Sequence, residues 1–352
     1  MQQVSPFRIG ISMFLWVLLM SGLTSFYWWK WLQADHFMPA DRRHFVVEKG
    51  ESLQSVANRL HQKELLRWPN IWRFYARFFD PETIKAGEYL LAERSSPRAI
   101  LDMFQSGKVI TYFVTFVEGK TFNDALTVLT EQTKLTSLLA GKSIEEQMSL
   151  LALQITHPEG WFYPDTYQYE AGDTDVSILR RAHTKMKLVL ESEWAQREPG
   201  LPYATPYEAL IMASIIEKET GVESERSAIA GVFVRRLQKG MRLQTDPTVI
   251  YGLGVNFDGN LTRAHLRQST PYNTYTNAGL PLTPIALPGE EAVHAALHPL
   301  GGDTLYFVAK GDGSHHFSST LEEHNRAVSE YQRYKRVEGY RSSPIPKLPS
   351  AD

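Results

Sequence analysis

The chain has 352 residues, enough for one large domain with a small one or for two of medium size, and its 43% hydrophobic and 22% charged content is that of an ordinary globular protein. A net charge of −2 gives no electrostatic case for binding nucleic acid. The absence of cysteine excludes disulfides, thiolate metal sites and cysteine nucleophiles at once.

From Ile9 to Trp29 there are 21 residues without a charge, flanked by Arg8 and Lys30. As a helix, that length crosses a hydrocarbon core of about 30 Å. Tyr27, Trp28, Trp29 and Trp31 stand at its far end, as an interfacial aromatic belt does. A cleaved signal peptide is the rival reading, but the apolar region is long for one and no small-x-small cleavage site follows it. The sequence therefore predicts a short cytoplasmic tail over residues 1–8, an uncleaved anchor over 9–32, and the whole functional mass on one side of the membrane. Arg8 and the amino terminus compete with Lys30, Arg42 and Arg43, so basic residues do not orient the span.

Asp35–Arg43 reads as a polar linker. The stretch His44–Ala57 reads as a strand with Phe45 and Val47 on one face, a turn at Gly50, a cap at Ser52, and a helix carrying Leu53, Val56, Ala57 and Leu60. A second helix is predicted over Asn70–Phe78 with Ile71, Phe74 and Phe78 as its apolar face, then a strand at Tyr89–Leu91. A third helix opens at Ser96-Pro97, carries Ile100, Leu101 and Phe104, and ends near Gly107. Together these make a small α+β module over 44–108. Thr111–Val117 reads as a strand apolar on both faces and hence buried. A larger α+β domain is predicted over 110–340, followed by a Pro- and Ser-rich disordered tail over 341–352.

The best-defined helix begins at Thr205-Pro-Tyr-Glu, with Thr205 as N-cap, Pro206 in the first turn and Glu208 completing a capping box. It continues through a strongly apolar run and stops at Gly221. Glu217 and Glu219 close it. At about 100° per residue they point roughly 200° apart and cannot share one cleft. Glu219 continues the stripe of Met212 and Ile215, where burial and the negative end of the helix dipole both favour a protonated acid. A solvated glutamate paired with Lys218 or Arg226 is the competing reading from the helix alone. The next helix, Ser224–Lys239, carries Ile229, Val232, Phe233 and Leu237 on one face and ends at Gly240. The irregular stretches Met241–Gly252, Ser269–Tyr275 and Glu159–Tyr167 combine aromatic planes with Asn, Gln, Asp and Thr, which suits sugars, although each such residue taken singly is as well explained by packing. There is no HExxH, GxSxG or phosphate-binding glycine loop, and His315, His316 and His324 read as loop or structural histidines, so no metal or cofactor is expected.

At this point the residues resemble a family. Ala213-Ser-Ile-Ile-Glu-Lys-Glu-Thr, Leu243-Gln-Thr-Asp-Pro-Thr-Val-Ile-Tyr-Gly, Tyr272-Asn-Thr-Tyr, Gly279-Leu-Pro and Glu159-Gly-Trp-Phe-Tyr-Pro-Asp-Thr-Tyr are similar to motifs of the endolytic murein transglycosylases, the YceG-like family. Leu305-Tyr-Phe-Val-Ala, His315-His-Phe and His324-Asn are similar as well, and the likeness runs in order over nearly the whole chain after the anchor. Val47–Ala57 resembles the start of a LysM module, a small glycan-binding unit. The resemblance implies a single-pass inner-membrane protein whose periplasmic bulk cuts nascent glycan strands between N-acetylmuramic acid and N-acetylglucosamine, leaving 1,6-anhydro-muramic ends. It implies Glu219 as the catalytic acid/base and Glu159, Tyr163, Gln244, Thr245, Asp246, Tyr272, Asn273 and Tyr275 as substrate-binding residues. Its partners would be the glycan strands and the cell-wall synthases of the inner membrane. Two alternatives stay open: a hydrolase of the same bond, with Glu159, Asp165 or Asp246 as the second carboxylate, and a non-enzymatic wall-binding scaffold.

Overall fold

A computed structural model describes the backbone of residues 6–334 and the side chains of 11 and 13–332. The side chains of the expected tail 1–8 and of Ile9 and Gly10 in the expected anchor lie outside the described residues, as do 335–340 and the tail 341–352. The fold is mixed α+β. It divides into two compact units, Met1–Tyr112 with Tyr169–Gly172, and Phe113–Gln168 with Asp173–Asp352.

In the first unit, helix α1 (Pro6–Gln33) leads to β1 (His36–Phe37), β2 (His44–Val47), α2 (Leu53–Gln62), α3 (Pro69–Phe78), β3 (Gly87–Leu90), β4 (Arg94–Ser95) and α4 (Pro97–Ser106). β2 and β3 pair antiparallel with Phe45 opposite Tyr89, and β1 pairs with β4. The local signals act as their chemistry requires. Ser52 and Ser96 accept hydrogen bonds from the third residue of α2 and α4, and Gly107 ends α4 in the left-handed conformation at φ 70°. The core is aromatic: Phe45, Trp72, Tyr89 and Phe104 are fully buried, with Phe45 stacked on Phe104.

Two expectations need correction in this unit, and a third is not shown. Asp35–Arg43 is not a plain linker, because β1 pairs there and Met38 is buried. On α3 the buried side chains are Trp72 and Ala76, while Phe74 and Phe78 are exposed; the Trp72 indole N–H donates to the Pro97 carbonyl at 2.7 Å and turns that face inward. The expected span over 9–32 is the one not shown: among the described residues, which leave out the side chains of residues 9, 10 and 12, no helix is long and apolar enough to cross a membrane. α1 is 28 residues long, and it does not end as a free span at residue 32: Trp31 and Leu32 are buried in the core of this unit, while the apolar side chains from Met13 to Leu19 are exposed.

β5 (Thr111–Thr115) follows, then α5 (Phe122–Thr130), α6 (Ile144–Leu151), β6 (Thr166–Glu170), α7 (Asp175–Ala195), α8 (Pro206–Glu219), α9 (Arg226–Gln238), α10 (Asp246–Leu253), α11 (Arg263–Arg267), α12 (Glu290–Leu297), β7 (Tyr306–Ala309), β8 (His315–Ser318) and α13 (Leu321–Val328). β5 pairs with β6, and β7 with β8 in antiparallel register with Phe307 opposite Phe317. The expected burial of both faces of 111–117 fails: Val114 and Phe116 are buried, but Phe113 and Val117 are exposed. β6 pairs along the edge of β5, and only the face carrying Val114 and Phe116 is packed over. The core of the second unit surrounds α8, with α7, α9, α10 and α12 packed against it.

Phe104→Ala removes a side chain with no solvent exposure from the small aromatic core and is expected to cost about 3–5 kcal/mol. Denaturant unfolding checks it; a midpoint unchanged from the natural chain would contradict this packing.

Candidate active site

α8 begins as its sequence dictates. The Thr205 hydroxyl accepts the Glu208 N–H, and Pro206 occupies the first turn. The Glu208 carboxylate reaches one residue further back than a standard capping box, accepting the Ala204 N–H at 2.5 Å. The helix does not end on a left-handed Gly221. Thr220 instead leaves it in extended conformation, at φ −142° and ψ 137°, and its buried hydroxyl accepts the Val222 N–H at 2.9 Å. A β-branched residue turns the chain sharply outward at that point.

The two carboxylates at this end point to different places. Glu217 accepts the N–H of Gly289, the N-cap of α12, at 3.1 Å. Burial pushes its carboxyl up to about 7, and the neighbouring charge of Glu118 adds to the rise. Glu219 faces a cleft of about 1450 Å³ and accepts a short hydrogen bond from the Thr245 hydroxyl. Burial pushes its carboxyl up to about 7 as well; Asp246 adds to the rise and the Thr245 hydrogen bond opposes it. Thr245 is itself fixed. Its N–H donates to the Thr274 hydroxyl at 3.1 Å, and its carbonyl accepts from Thr248 at 2.7 Å.

Of the residues singled out by sequence, Glu159, Glu219, Gln244, Thr245, Asp246 and Tyr275 line the cleft. Gln244 holds a left-handed backbone at φ 53°, uncommon for a residue with a Cβ. The Tyr275 hydroxyl donates to Asp246 at 2.6 Å. Glu159 is buried, accepts the Phe122 N–H at 2.9 Å and the Tyr251 hydroxyl at 3.0 Å, and is pushed by burial up to about 7.

Tyr163, Tyr272 and Asn273 are not among the cleft-lining residues. The Asn273 amide donates to the carbonyls of His265, Leu266 and Gln268 while its oxygen accepts the Tyr275 N–H, so it is wholly buried and pins its own loop. The Tyr272 hydroxyl meets Thr283 at 3.0 Å, and its ring meets Tyr251 edge-on. The Tyr163 hydroxyl donates to Glu290 at 3.3 Å. Asp165 pairs with Lys185 at 2.5 Å and also stays off the cleft wall.

The cleft also takes in Lys218, Arg236, Tyr251, Phe307, His315 and His324. Arg236 carried a readable signal, since it falls seven residues after Ile229 and three after Phe233, on the apolar stripe of α9. Its guanidinium donates to the carbonyls of Leu305 and Leu243, both at 2.7 Å. His315 is anchored by Glu225, with Nδ1 2.8 Å from the carboxylate. His324 stacks on Tyr306 at 5.2 Å. These two histidines are brought together only by the β7–β8 hairpin and α13, which spacing along the chain does not reveal.

The sequence model of the YceG-like family matches residues 45–330. An endolytic murein transglycosylase of Bacillus subtilis is 30% identical over 302 residues, covering 81% of this chain and 83% of that one. An enzyme of the same name from Streptococcus pneumoniae is 26% identical, covering 94% of this chain and 66% of its own length. The crystal structure of a YceG-like protein from Listeria monocytogenes is similar, with a TM-score of 0.52 and 31% identity, covering 80% of this chain and 97% of that one.

The raised pKa of the half-buried Glu217 has a direct thermodynamic consequence. Its carboxyl holds its proton more tightly folded than at the ordinary value of 4.5, so its stabilising contribution is complete below 4.5 and is lost as pH rises through about 7. Glu217→Gln keeps an acceptor for the Gly289 N–H and abolishes this loss. The unfolding free energy of the variant relative to the natural chain is expected to rise between about pH 5 and pH 8 and then level off. A pH-independent difference would show that the carboxyl is not held protonated.

Proposed function

This chain belongs to the YceG-like family, and on that premise we propose that it is an endolytic lytic transglycosylase, cutting the β-1,4 bond between N-acetylmuramic acid and N-acetylglucosamine in nascent peptidoglycan strands. The name shared by the curated relatives supports this reaction. The observation that carries the reading to particular residues is Glu219, a carboxyl kept in its acid form by burial at the wall of a long cleft lined with polar and aromatic groups.

In the proposed chemistry Glu219 gives its proton to the bridging oxygen as the bond from the muramic anomeric carbon breaks. The resulting carboxylate then takes the proton of the muramic C6 hydroxyl as that oxygen attacks the anomeric carbon. A 1,6-anhydro ring closes, Glu219 is protonated again, and no water is consumed. One carboxyl serves both steps because the nucleophile belongs to the substrate, unlike the carboxylate pair of a hydrolase. Thr245 fixes the rotamer by holding Oε1, leaving Oε2 for the proton in transit. Gln244 and the Asp246–Tyr275 pair are positioned for sugar hydroxyls, and the module 44–108 is assigned the LysM-like role of holding the strand.

We propose in addition that α1 anchors the protein in the inner membrane with its bulk in the periplasm, beside the cell-wall synthases whose product it shortens. Met13, Phe14, Leu15, Trp16, Val17, Leu18 and Leu19 are all exposed on a helix whose far end is tied into a folded core at Trp31 and Leu32. An apolar surface of that extent on one helix needs a nonaqueous partner, and lipid supplies it.

Two experiments test these proposals. Glu219→Gln should lower release of anhydro-muropeptides from purified glycan strands by about 10²–10⁴-fold with folding intact by circular dichroism, while Glu217→Gln stays within a few-fold. The activity of the natural enzyme should fall as pH rises through about 7, where the acid form of Glu219 is lost. A product heavier by one water would identify a hydrolase, and a folded, active Glu219→Gln chain would remove Glu219 from the mechanism. For the anchor, a periplasm-dependent reporter fused after Arg43 should be active and membrane-bound; an inactive or freely soluble fusion would overturn that assignment.

A further inference from the structure

Away from the cleft, α12 and the end of α7 bring together a group that takes no part in the chemistry proposed above. His294 lies on α12 and His298 is the residue that caps its C-terminal end, four positions on, and their rings stack at 4.3 Å. Glu193, near the end of α7, meets both: its Oε2 lies 2.8 Å from His294 Nδ1 and 3.6 Å from His298 Nε2. One ligand atom from each of the three falls within 4.8 Å of the other two.

We propose that Glu193, His294 and His298 form a binding site for a divalent transition ion of the zinc class, and that the ion fastens α7 to α12. Four observations carry this. The donor set, two imidazoles and a carboxylate, is one that zinc takes, with water completing the tetrahedron. Zinc bonds of about 2.0–2.2 Å place tetrahedral ligand atoms about 3.4 Å apart, and the two separations to Glu193 bracket that value. The Glu193 carboxylate is only 16% exposed, and among the described residues its ion-pair partners are these histidines rather than a lysine or arginine. Finally, the nitrogen of His298 turned away from Glu193 faces a second carboxylate, Glu198 Oε1, at 4.0 Å. At that distance Glu198 does not hydrogen-bond the ring; it adds a second negative charge beside the site, which favours a cation there.

The scaffold is rigid enough to hold such a site. Ala292, Val293, Ala295, Ala296 and Leu297 of α12 are all buried, and the Glu198 N–H donates to the Leu297 carbonyl at 3.0 Å. On binding, the ion replaces the direct contact between His294 Nδ1 and Glu193 Oε2. A hard cation such as Mg²⁺, which prefers an all-oxygen octahedron, does not suit the site.

The test uses the full chain without a histidine tag, stripped of metal, titrated calorimetrically with Zn²⁺ and separately with Mg²⁺. One equivalent of Zn²⁺ should bind saturably at sub-millimolar concentration and raise the unfolding midpoint, with no response to Mg²⁺. Glu193→Gln with His298→Gln should abolish both effects while leaving glycan cleavage unchanged. Glu198→Gln, which removes a nearby charge and no ligand, should weaken Zn²⁺ binding by a few-fold without removing it. Absence of saturable Zn²⁺ binding, or binding that persists unchanged in the double variant, would overturn the proposal. Folding of the variants is read from circular dichroism, and the milder Glu198→Gln change keeps the test open if the double variant fails to fold.

Discussion

From Ala209 to Ile216 every residue of α8 is buried, so this helix has no solvent face and must be enclosed by α7, α9, α10 and α12. That enclosure sets the chemistry at its end. A glutamate leaving such a helix emerges among apolar neighbours, where ionisation carries the cost of lost hydration. Two glutamates two positions apart cannot relieve that cost in the same direction. One finds the N-cap of α12, and the other finds Thr245 at the cleft. The partner of each is thus set by what closes over the helix, not by any difference in their intrinsic acidity.

Glu159, Glu217 and Glu219 are all pushed by burial to about 7, so acidity alone does not select among them. Their partners do. Glu159 accepts from a backbone amide and a tyrosine, which ties the loop between α6 and β6 to the start of α5 and to α10. Glu217 accepts from a helix N-cap, and its carboxyl is absent from the cleft wall. Glu219 accepts from one hydroxyl at the cleft wall. A group that must give and regain a proton needs that access.

What the sequence disclosed and what it hid divide along physical lines. Helix caps are local, and Ser52, Ser96 and Thr205 all act as their spacing requires. The opposed directions of Glu217 and Glu219 are also local, fixed by helical rotation. Which face of a short helix is buried is not local: on α3 the larger apolar stripe stays outside because Trp72 finds a carbonyl on the far side of the core. In the same way Asn273 resembles a ligand for sugars in sequence, yet three carbonyls of its own loop occupy its amide. Arg236 is passed over in the sequence although a charge on an apolar stripe could have marked it; His315 and His324 read there as loop or structural histidines, and only the hairpin of β7 and β8 and the helix after it bring them to the cleft.

Gln244 joins these local and nonlocal demands. A left-handed backbone at a residue with a Cβ costs on the order of 1 kcal/mol or more unless its surroundings determine it. Here they do: the Gln244 N–H donates to the Thr274 carbonyl, and the next residue is held by the hydroxyls of Thr248 and Thr274, which meet each other at 2.8 Å. Relaxing Gln244 to a common conformation would rotate Thr245 out of this network and carry its hydroxyl away from Glu219. The strain and the threonine network are therefore two sides of one arrangement: α8 delivers the Glu219 carboxyl to the cleft, and the segment from Leu243 into the first turn of α10 holds it there through the Thr245 hydroxyl.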